Sequence, residues 1–222
     1  LGYLVVGTVF HAIASDALML GAAAVMTTIA ALFYGKVGPR WAAAAEEAGA
    51  AEPDPNPPVP VAPRATTPGA VAGTVVLGIA AALGGSMVLG LLFELLGLVV
   101  QEQARVLEIV EGARGNGPGA EAIMLVVAAL VLAPVTEEWL FRGLLFRRVA
   151  ARSGRGLAYA ISALAFAAIH DNPAGFVIYL WLGVVFATVL ERTGRLWAAV
   201  AVHMGNNAYV LVMLFTAGAP GV

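Results

Sequence analysis

The chain has 222 residues, of which 60% are hydrophobic and 12% are charged, and its formal net charge is −2. A soluble domain of this length carries about twice that share of charged residues, so the composition excludes an ordinary soluble globular protein. Apolar residues occur in runs of about 20 or more, the length that crosses a bilayer. These features predict an all-α, polytopic membrane bundle. No cysteine is present, which excludes disulfides, thiolate catalysis and cysteine metal ligands.

The N-terminal half divides into three predicted regions. Residues 1–41 contain a long apolar run and predict an N-terminal transmembrane segment. Residues 42–69 are rich in proline and alanine, and because so many prolines cannot pack as helix, they predict a flexible linker. Residues 70–119 predict a second transmembrane segment followed by a polar loop, the first half of which could form a short interfacial helix.

Residues 120–218 contain the remaining apolar segments. The first of them passes through Pro134, where it could be divided. The next runs from Leu157 to His170 and is short for a span. The last two run from Ala174 to Leu190 and from Leu196 to about Ala217. Together with the two N-terminal segments, they predict about six to eight helices that enclose an intramembrane cavity.

Basic residues indicate the orientation and the location of the protein. They concentrate on alternate loops, and the positive-inside rule makes those loops cytoplasmic and both termini external. The basic residues are almost all arginine, with abundant alanine, glycine and valine, a bias typical of GC-rich bacterial genomes. We therefore expect a multi-pass protein of the bacterial inner (cytoplasmic) membrane, in contact with membrane lipid and without a nucleic-acid partner.

Several ionisable residues lie inside these apolar segments, where each costs at least about 2.5–3.5 kcal/mol. Glu138 and Arg142 are four residues apart, so they share one helix face and can neutralise each other, which makes a structural pair the simpler interpretation. Glu137 points about 100° away from Glu138 and needs a different partner. The nearest candidates are His170 and His203 on later segments.

The two histidines have polar or structural features beside them. His203 and Asn207 are four residues apart and therefore share a helix face. His170 follows Phe166 by one turn and lies where Pro173 ends its segment. A helix that breaks at membrane depth is tolerated only where it borders protein or a water-filled cavity. The predicted result is a wet pocket lined by Glu137, His170, His203 and Asn207.

Three short motifs in this half resemble those of a known family. They are Glu137-Glu138-x-x-x-Arg142, Phe166-x-x-x-His170 and His203-x-x-x-Asn207. All three occur in this order on separate apolar segments, and the pattern is similar to that of the CPBP intramembrane proteases. That family includes the Rce1-type CAAX prenyl proteases and the bacteriocin-processing (Abi) proteins. The match covers about residues 120–218.

The resemblance implies a helical membrane core that hydrolyses a peptide bond near a membrane-anchored or C-terminal segment of a protein substrate, which can be lipid-anchored. It further implies that Glu137 activates water and that His170 shares or orients that water. His203 and Asn207 would stabilise the oxyanion. The supporting positions in the motifs are Glu138, Arg142 and Phe166.

Two mechanisms fit these residues, one without and one with a metal. Without a metal, Glu137 removes a proton from water and the histidines supply hydrogen bonds. With a metal, Glu137, His170 and His203 would hold Zn²⁺, and water would take the fourth position. Glu138 would then be the base. The HExxH spacing of many zinc proteases is absent, and the residues leave both versions open.

Two functions outside proteolysis are also compatible with polar residues in membrane helices. A proton-coupled transporter uses Glu and His as relay groups, but the two halves share no polar spacing that would indicate an inverted repeat. A non-catalytic membrane scaffold would explain the small residues in the helices but not Glu137 or His170. We therefore expect an intramembrane peptide hydrolase, of the metalloprotease class if it binds Zn²⁺.

Overall fold

The computed structural model describes residues 67–98, 104–170 and 172–217. The predicted transmembrane segment 1–41 and nearly all of the predicted linker 42–69 lie outside these residues. Six helices make up the described part of the chain, which contains no strand. They are α1 (Pro68–Leu95), α2 (Ala104–Asn116), α3 (Ala120–Ser153), α4 (Arg155–Ala168), α5 (Phe176–Thr193) and α6 (Leu196–Ala217).

Four of these helices, α1, α3, α5 and α6, are long and apolar enough to cross a membrane. Helix α4 is apolar too, but its 14 residues rise only about 21 Å, less than the roughly 30 Å of a hydrocarbon core. It corresponds to the segment that the sequence predicts to be short. The helical membrane bundle predicted from composition is therefore confirmed.

Helix α3 continues through Pro134 and is not divided there. A π-helical stretch, Ala128–Leu132, precedes the proline, and the Ala133 N–H bonds to the Ala128 carbonyl oxygen five residues back. Pro134 then falls in the first turn of the next α-helical part. Because the wider turn changes the hydrogen-bonding pattern before the proline, the missing Pro134 N–H does not end the helix.

The two adjacent glutamates lie between two unusual stretches of α3. They end a short α-helical part, Ala133–Glu138, which is followed by a second π-helical stretch, Trp139–Phe146. Such stretches are rare in helices and are frequently found at functional sites. They also change the angle between successive side chains, so the directions of Glu137 and Glu138 depend on them.

Helix α5 lies in the centre of the bundle, in contact with α1, α4 and α6. A glycine permits its approach to α4, because a Cβ at Gly183 would lie only 2.8 Å from the Cα of Ala163. Any larger residue would push these two helices apart, as is typical of close helix packing in membranes. The carbonyl oxygen of Gly183 also accepts a hydrogen bond from Arg142 on α3.

An apolar cluster joins α2 to the beginning of α3 and the end of α6. Its buried members are Ile109, Val110, Ala122, Leu125, Leu211 and Leu214. The predicted polar loop after α1 thus contains a helix, and the apolar side of that helix packs against two membrane-spanning helices. This contact covers apolar surface that would otherwise face water.

We expect Gly85→Ala to destabilise the bundle and the neighbouring Gly84→Ala to leave it nearly unchanged. A Cβ at Gly85 would overlap the indole of Trp181, whose Nε1 donates a hydrogen bond to the Ala81 carbonyl oxygen. Such overpacking costs about 1–3 kcal/mol. Nothing lies within 4 Å of a Cβ at Gly84. Thermal unfolding in detergent compares the two variants, and equal melting temperatures would contradict the packing of α1 on α5.

Candidate active site

Glu137, Glu138, Arg142, His170 and His203 form a polar cluster with a fully buried ion pair at its centre. Arg142 Nη1 donates to Glu138 Oε1 over 3.1 Å, and both side chains have 0% exposure. Arg142 Nη2 donates to the Gly183 carbonyl oxygen over 2.9 Å. The guanidinium carbon also lies 4.4 Å from the centroid of the Phe166 ring. A carboxylate, a carbonyl and an aromatic face thus compensate for removing this charge from water.

His203 on α6 is bound to the same carboxylate oxygen. Its Nδ1 lies 3.0 Å from Glu138 Oε1, and because a carboxylate only accepts, Nδ1 carries the hydrogen. The imidazole stacks on the Phe186 ring, with centroids 4.6 Å apart and an angle of 18° between the planes. The sequence suggested the histidines as partners of Glu137. The structure instead pairs His203 with Glu138, which therefore joins α3 to α6.

Glu137 faces His170 across a gap. Glu137 Oε2 lies 4.0 Å from His170 Nε2, too long for a direct hydrogen bond and suited to a bridging water. His170 Nδ1 lies 2.7 Å from the Phe166 carbonyl oxygen, which only accepts, so Nδ1 is the donor. This bond directs Nε2 towards Glu137.

Two aromatic rings hold the His170 imidazole in place. The Tyr179 ring on α5 stacks on it with centroids 3.9 Å apart and 22° between the planes. The Phe166 ring contacts it at 4.7 Å and 56°. Tyr179 could not be identified from the sequence, because an aromatic residue in an apolar segment carries no signal of such a contact. With the Nδ1 bond, these rings restrict rotation of the imidazole.

Asn207 on α6 contacts the backbone of α3. Its Nδ2 donates to the Ala129 carbonyl oxygen over 2.9 Å, and Ala129 lies in the first π-helical stretch. Asn206, which is only 5% exposed, donates from its own Nδ2 to Asn207 Oδ1 over 3.2 Å. Asn206 was missed at the sequence level, and its position beside Asn207 was the only available signal.

Three of the four predicted catalytic residues, Glu137, His170 and His203, belong to this polar cluster, which is formed by α3, α6 and the turn after α4. Glu137 and His170 face each other directly. His203 is connected to the cluster through Glu138, whereas Asn207 contacts the backbone of α3 at Ala129, eight residues before Glu137. The three supporting residues contact the others: Glu138 binds His203 and Arg142. Phe166 packs against Arg142 and His170. Their predicted catalytic roles stay predictions.

The positions of the candidate ligands determine whether they can hold a metal ion. Within the described ranges, no group of three or more His, Cys, Asp or Glu side chains is placed to hold a metal. In the predicted ligand set, Glu137 and His170 face each other, whereas His203 directs Nδ1 to Glu138. A histidine that donates Nδ1 to an oxygen can still bind a metal through Nε2, so the predicted Zn²⁺ ligands stay a prediction.

Comparison with known proteins identifies the region that carries the cluster. Residues 119–209 match the family model described as Type II CAAX prenyl endopeptidase Rce1-like. All the candidate catalytic and supporting residues fall within this match. No solved structure matches the chain.

Two curated bacterial proteins are similar to part of the chain. It is 29% identical over 94 residues to the "Putative membrane peptidase YdiL" of Bacillus subtilis, covering 42% of this chain and 38% of that protein. It is 26% identical over 121 residues to the membrane-embedded CAAX protease MroQ of Staphylococcus aureus, covering 48% and 49% respectively. The chain thus spans less than half the length of these relatives. Residues 119–209 are thus similar in sequence to the Rce1-like CAAX protease family.

Proposed function

We propose that this protein is an intramembrane endopeptidase in which Glu137 and His170 together activate a water molecule. The observation that carries the proposal is the 4.0 Å separation of Glu137 Oε2 and His170 Nε2. Glu137 Oε2 is buried and has no hydrogen-bond donor among the described residues. A base of this kind acts on a water within hydrogen-bonding distance, and this separation accommodates one between the two side chains.

The two acceptors also orient the water. Glu137 offers a carboxylate oxygen, and His170 offers the lone pair of Nε2 because its hydrogen is on Nδ1. A water that donates to both directs its own lone pairs away from them, towards a scissile carbonyl carbon. Glu137 takes the proton as the water oxygen attacks, and it then passes the proton to the leaving amine.

The oxyanion of the tetrahedral intermediate needs donors on its other side. We propose Asn207 Nδ2 and His203 Nε2. Since His203 Nδ1 donates to Glu138, Nε2 can donate only when the imidazole is protonated. The cluster is then neutral, because Glu137 and Glu138 balance Arg142 and His203. A neutral cluster is the arrangement that a low-dielectric interior tolerates best.

The proposed substrate is a protein with a membrane-anchored or C-terminal segment beside the scissile bond, lipid-anchored or not. Two observations support this class. The polar cluster lies within apolar spanning helices, and one relative is named a membrane-embedded CAAX protease. Both relatives are bacterial, which supports placement in the bacterial cytoplasmic membrane with lipid around the bundle.

The test uses membranes that contain the full chain and a library of membrane-anchored peptides. New peptide ends are identified by mass spectrometry. We expect each of Glu137→Ala, His170→Ala and His203→Ala to abolish the cleavage seen with the unaltered chain. Glu111→Ala is the matched control, because Glu111 is exposed on α2 and far from the cluster in sequence.

The three variants must also retain folded protein, measured by thermal unfolding in detergent. Cleavage that persists in all three would overturn the proposal. A zinc-dependent version, with Glu137, His170 and His203 as ligands, is distinguished in the same assay. Metal analysis of the purified protein is combined with cleavage in the presence of a chelator, and the water-activation mechanism proposed here requires cleavage to continue.

A further inference from the structure

An unusual carbonyl group lies opposite Asn207. In a regular α-helix, the Ala129 carbonyl oxygen would accept from the N–H of Ala133. Here the Ala133 N–H bonds to Ala128 instead. In the π-helical pattern the donor would be residue 134, but Pro134 has no N–H. Both backbone donors for Ala129 are therefore lost, and the Asn207 side chain supplies the replacement over 2.9 Å.

This contact determines which way round the Asn207 amide lies. A carbonyl oxygen only accepts, so the nitrogen of the amide must face Ala129 and Oδ1 must face the opposite way. On that opposite side, Asn206 Nδ2 donates to Oδ1 over 3.2 Å. The amide is planar, so two bonds at opposite ends fix both its plane and its orientation.

The second hydrogen of Asn207 Nδ2 then has a defined direction. An amide nitrogen carries two hydrogens, and Ala129 accepts one of them. The direction of the other depends on the plane of the amide, which Asn206 holds at the Oδ1 end. Asn206 itself is only 5% exposed. Buried polar side chains normally form hydrogen bonds, and the bond to Asn207 is one that Asn206 forms.

We propose that Asn206 is a positioning residue, which holds the Asn207 amide so that its second N–H points at the developing oxyanion. This inference rests on the proposed function. Nothing in the three-motif pattern assigns a role to Asn206. It acts only through Asn207, and its loss should therefore affect the rate of the chemical step more than the binding of substrate.

The test is a double-mutant cycle with the full chain in membranes and a cleaved peptide from the library. Asn206→Leu has a similar volume but donates no hydrogen bond. Removing a complete oxyanion donor costs about 10²–10³ in kcat, and we expect disorientation of the donor to lower kcat about tenfold, with KM unchanged. In an Asn207→Ala background, Asn206→Leu should lower kcat no further.

A purely structural role gives a different result. It lowers kcat by the same factor in both backgrounds, or it lowers only the melting temperature, and either outcome overturns the inference, as does an unchanged kcat in the Asn206→Leu single variant. Asn206→Ser is measured alongside, because it is smaller and keeps the cycle informative if the leucine variant unfolds. Glu137→Gln is the reference: if it retains cleavage, the proposed function fails independently of Asn206.

Discussion

Glu137→Gln is expected to lower kcat for peptide cleavage by about 10²–10⁴-fold, the usual contribution of a general base. Glutamine keeps the shape of the side chain but cannot accept a proton from water. The melting temperature should remain close to that of the unaltered protein. Glu137 is outside the Glu138–Arg142 ion pair and retains 19% exposure, so its charge is not needed to compensate for a buried cation by direct contact.

The two adjacent glutamates have different surroundings, because Glu138 pairs with Arg142 and Glu137 faces His170. Cleavage and thermal unfolding are measured on the same detergent-purified samples, with Glu111→Gln as the exposed control. A Glu137→Gln variant that cleaves within a few-fold of the control would show that Glu137 is not the base. A variant that unfolds much earlier would show that Glu137 supports the fold, and its loss of activity would then say nothing about proton transfer.

Arg142→Met is expected to cause a large loss of stability. Methionine matches the length of the arginine stem but leaves Glu138 as a buried charge without its cation. Breaking a buried pair by removing one partner costs about 3–5 kcal/mol. The Gly183 carbonyl oxygen also loses the donor that crosses from α3 to α5. Denaturant unfolding in detergent measures the change.

The control is Arg148→Met on the same helix, where the arginine is exposed and its removal should change the free energy of unfolding by less than about 1 kcal/mol. The double variant Glu138→Leu with Arg142→Met removes both charges and should recover part of the loss. Recovery is incomplete because His203 Nδ1 loses its acceptor. If Arg142→Met is as stable as Arg148→Met, the buried pair does not hold the cluster together.

Local sequence patterns were sufficient to predict the apolar helices in the described part of the chain. The length of an apolar run sets whether it can cross a bilayer, and this distinguishes α6, which can, from the short α4. The i,i+4 spacing of Glu138 and Arg142 likewise depends only on helix geometry. The donor–acceptor pair that these two residues form follows from one turn of one helix.

Contacts between helices could not be derived in this way. His203 and Glu138 are 65 residues apart, and which of the two glutamates the imidazole meets depends on how α6 rotates against α3. The π-helical stretches on both sides of the glutamates shift that rotation. Apolar periodicity does not reveal such stretches, because they alter the backbone hydrogen bonds without altering the hydrophobic pattern.

The polar residues in apolar segments could therefore be identified from composition and spacing. Ionisable residues are rare in membrane helices, because placing them there costs free energy. Their division into roles required the packed bundle. Gly183 lets α5 approach α4 closely and offers its carbonyl to Arg142. Tyr179 orients His170 by stacking, and Asn206 contacts Asn207. Each of these contacts depends on the distance and rotation between helices, which are set by close packing over the whole bundle.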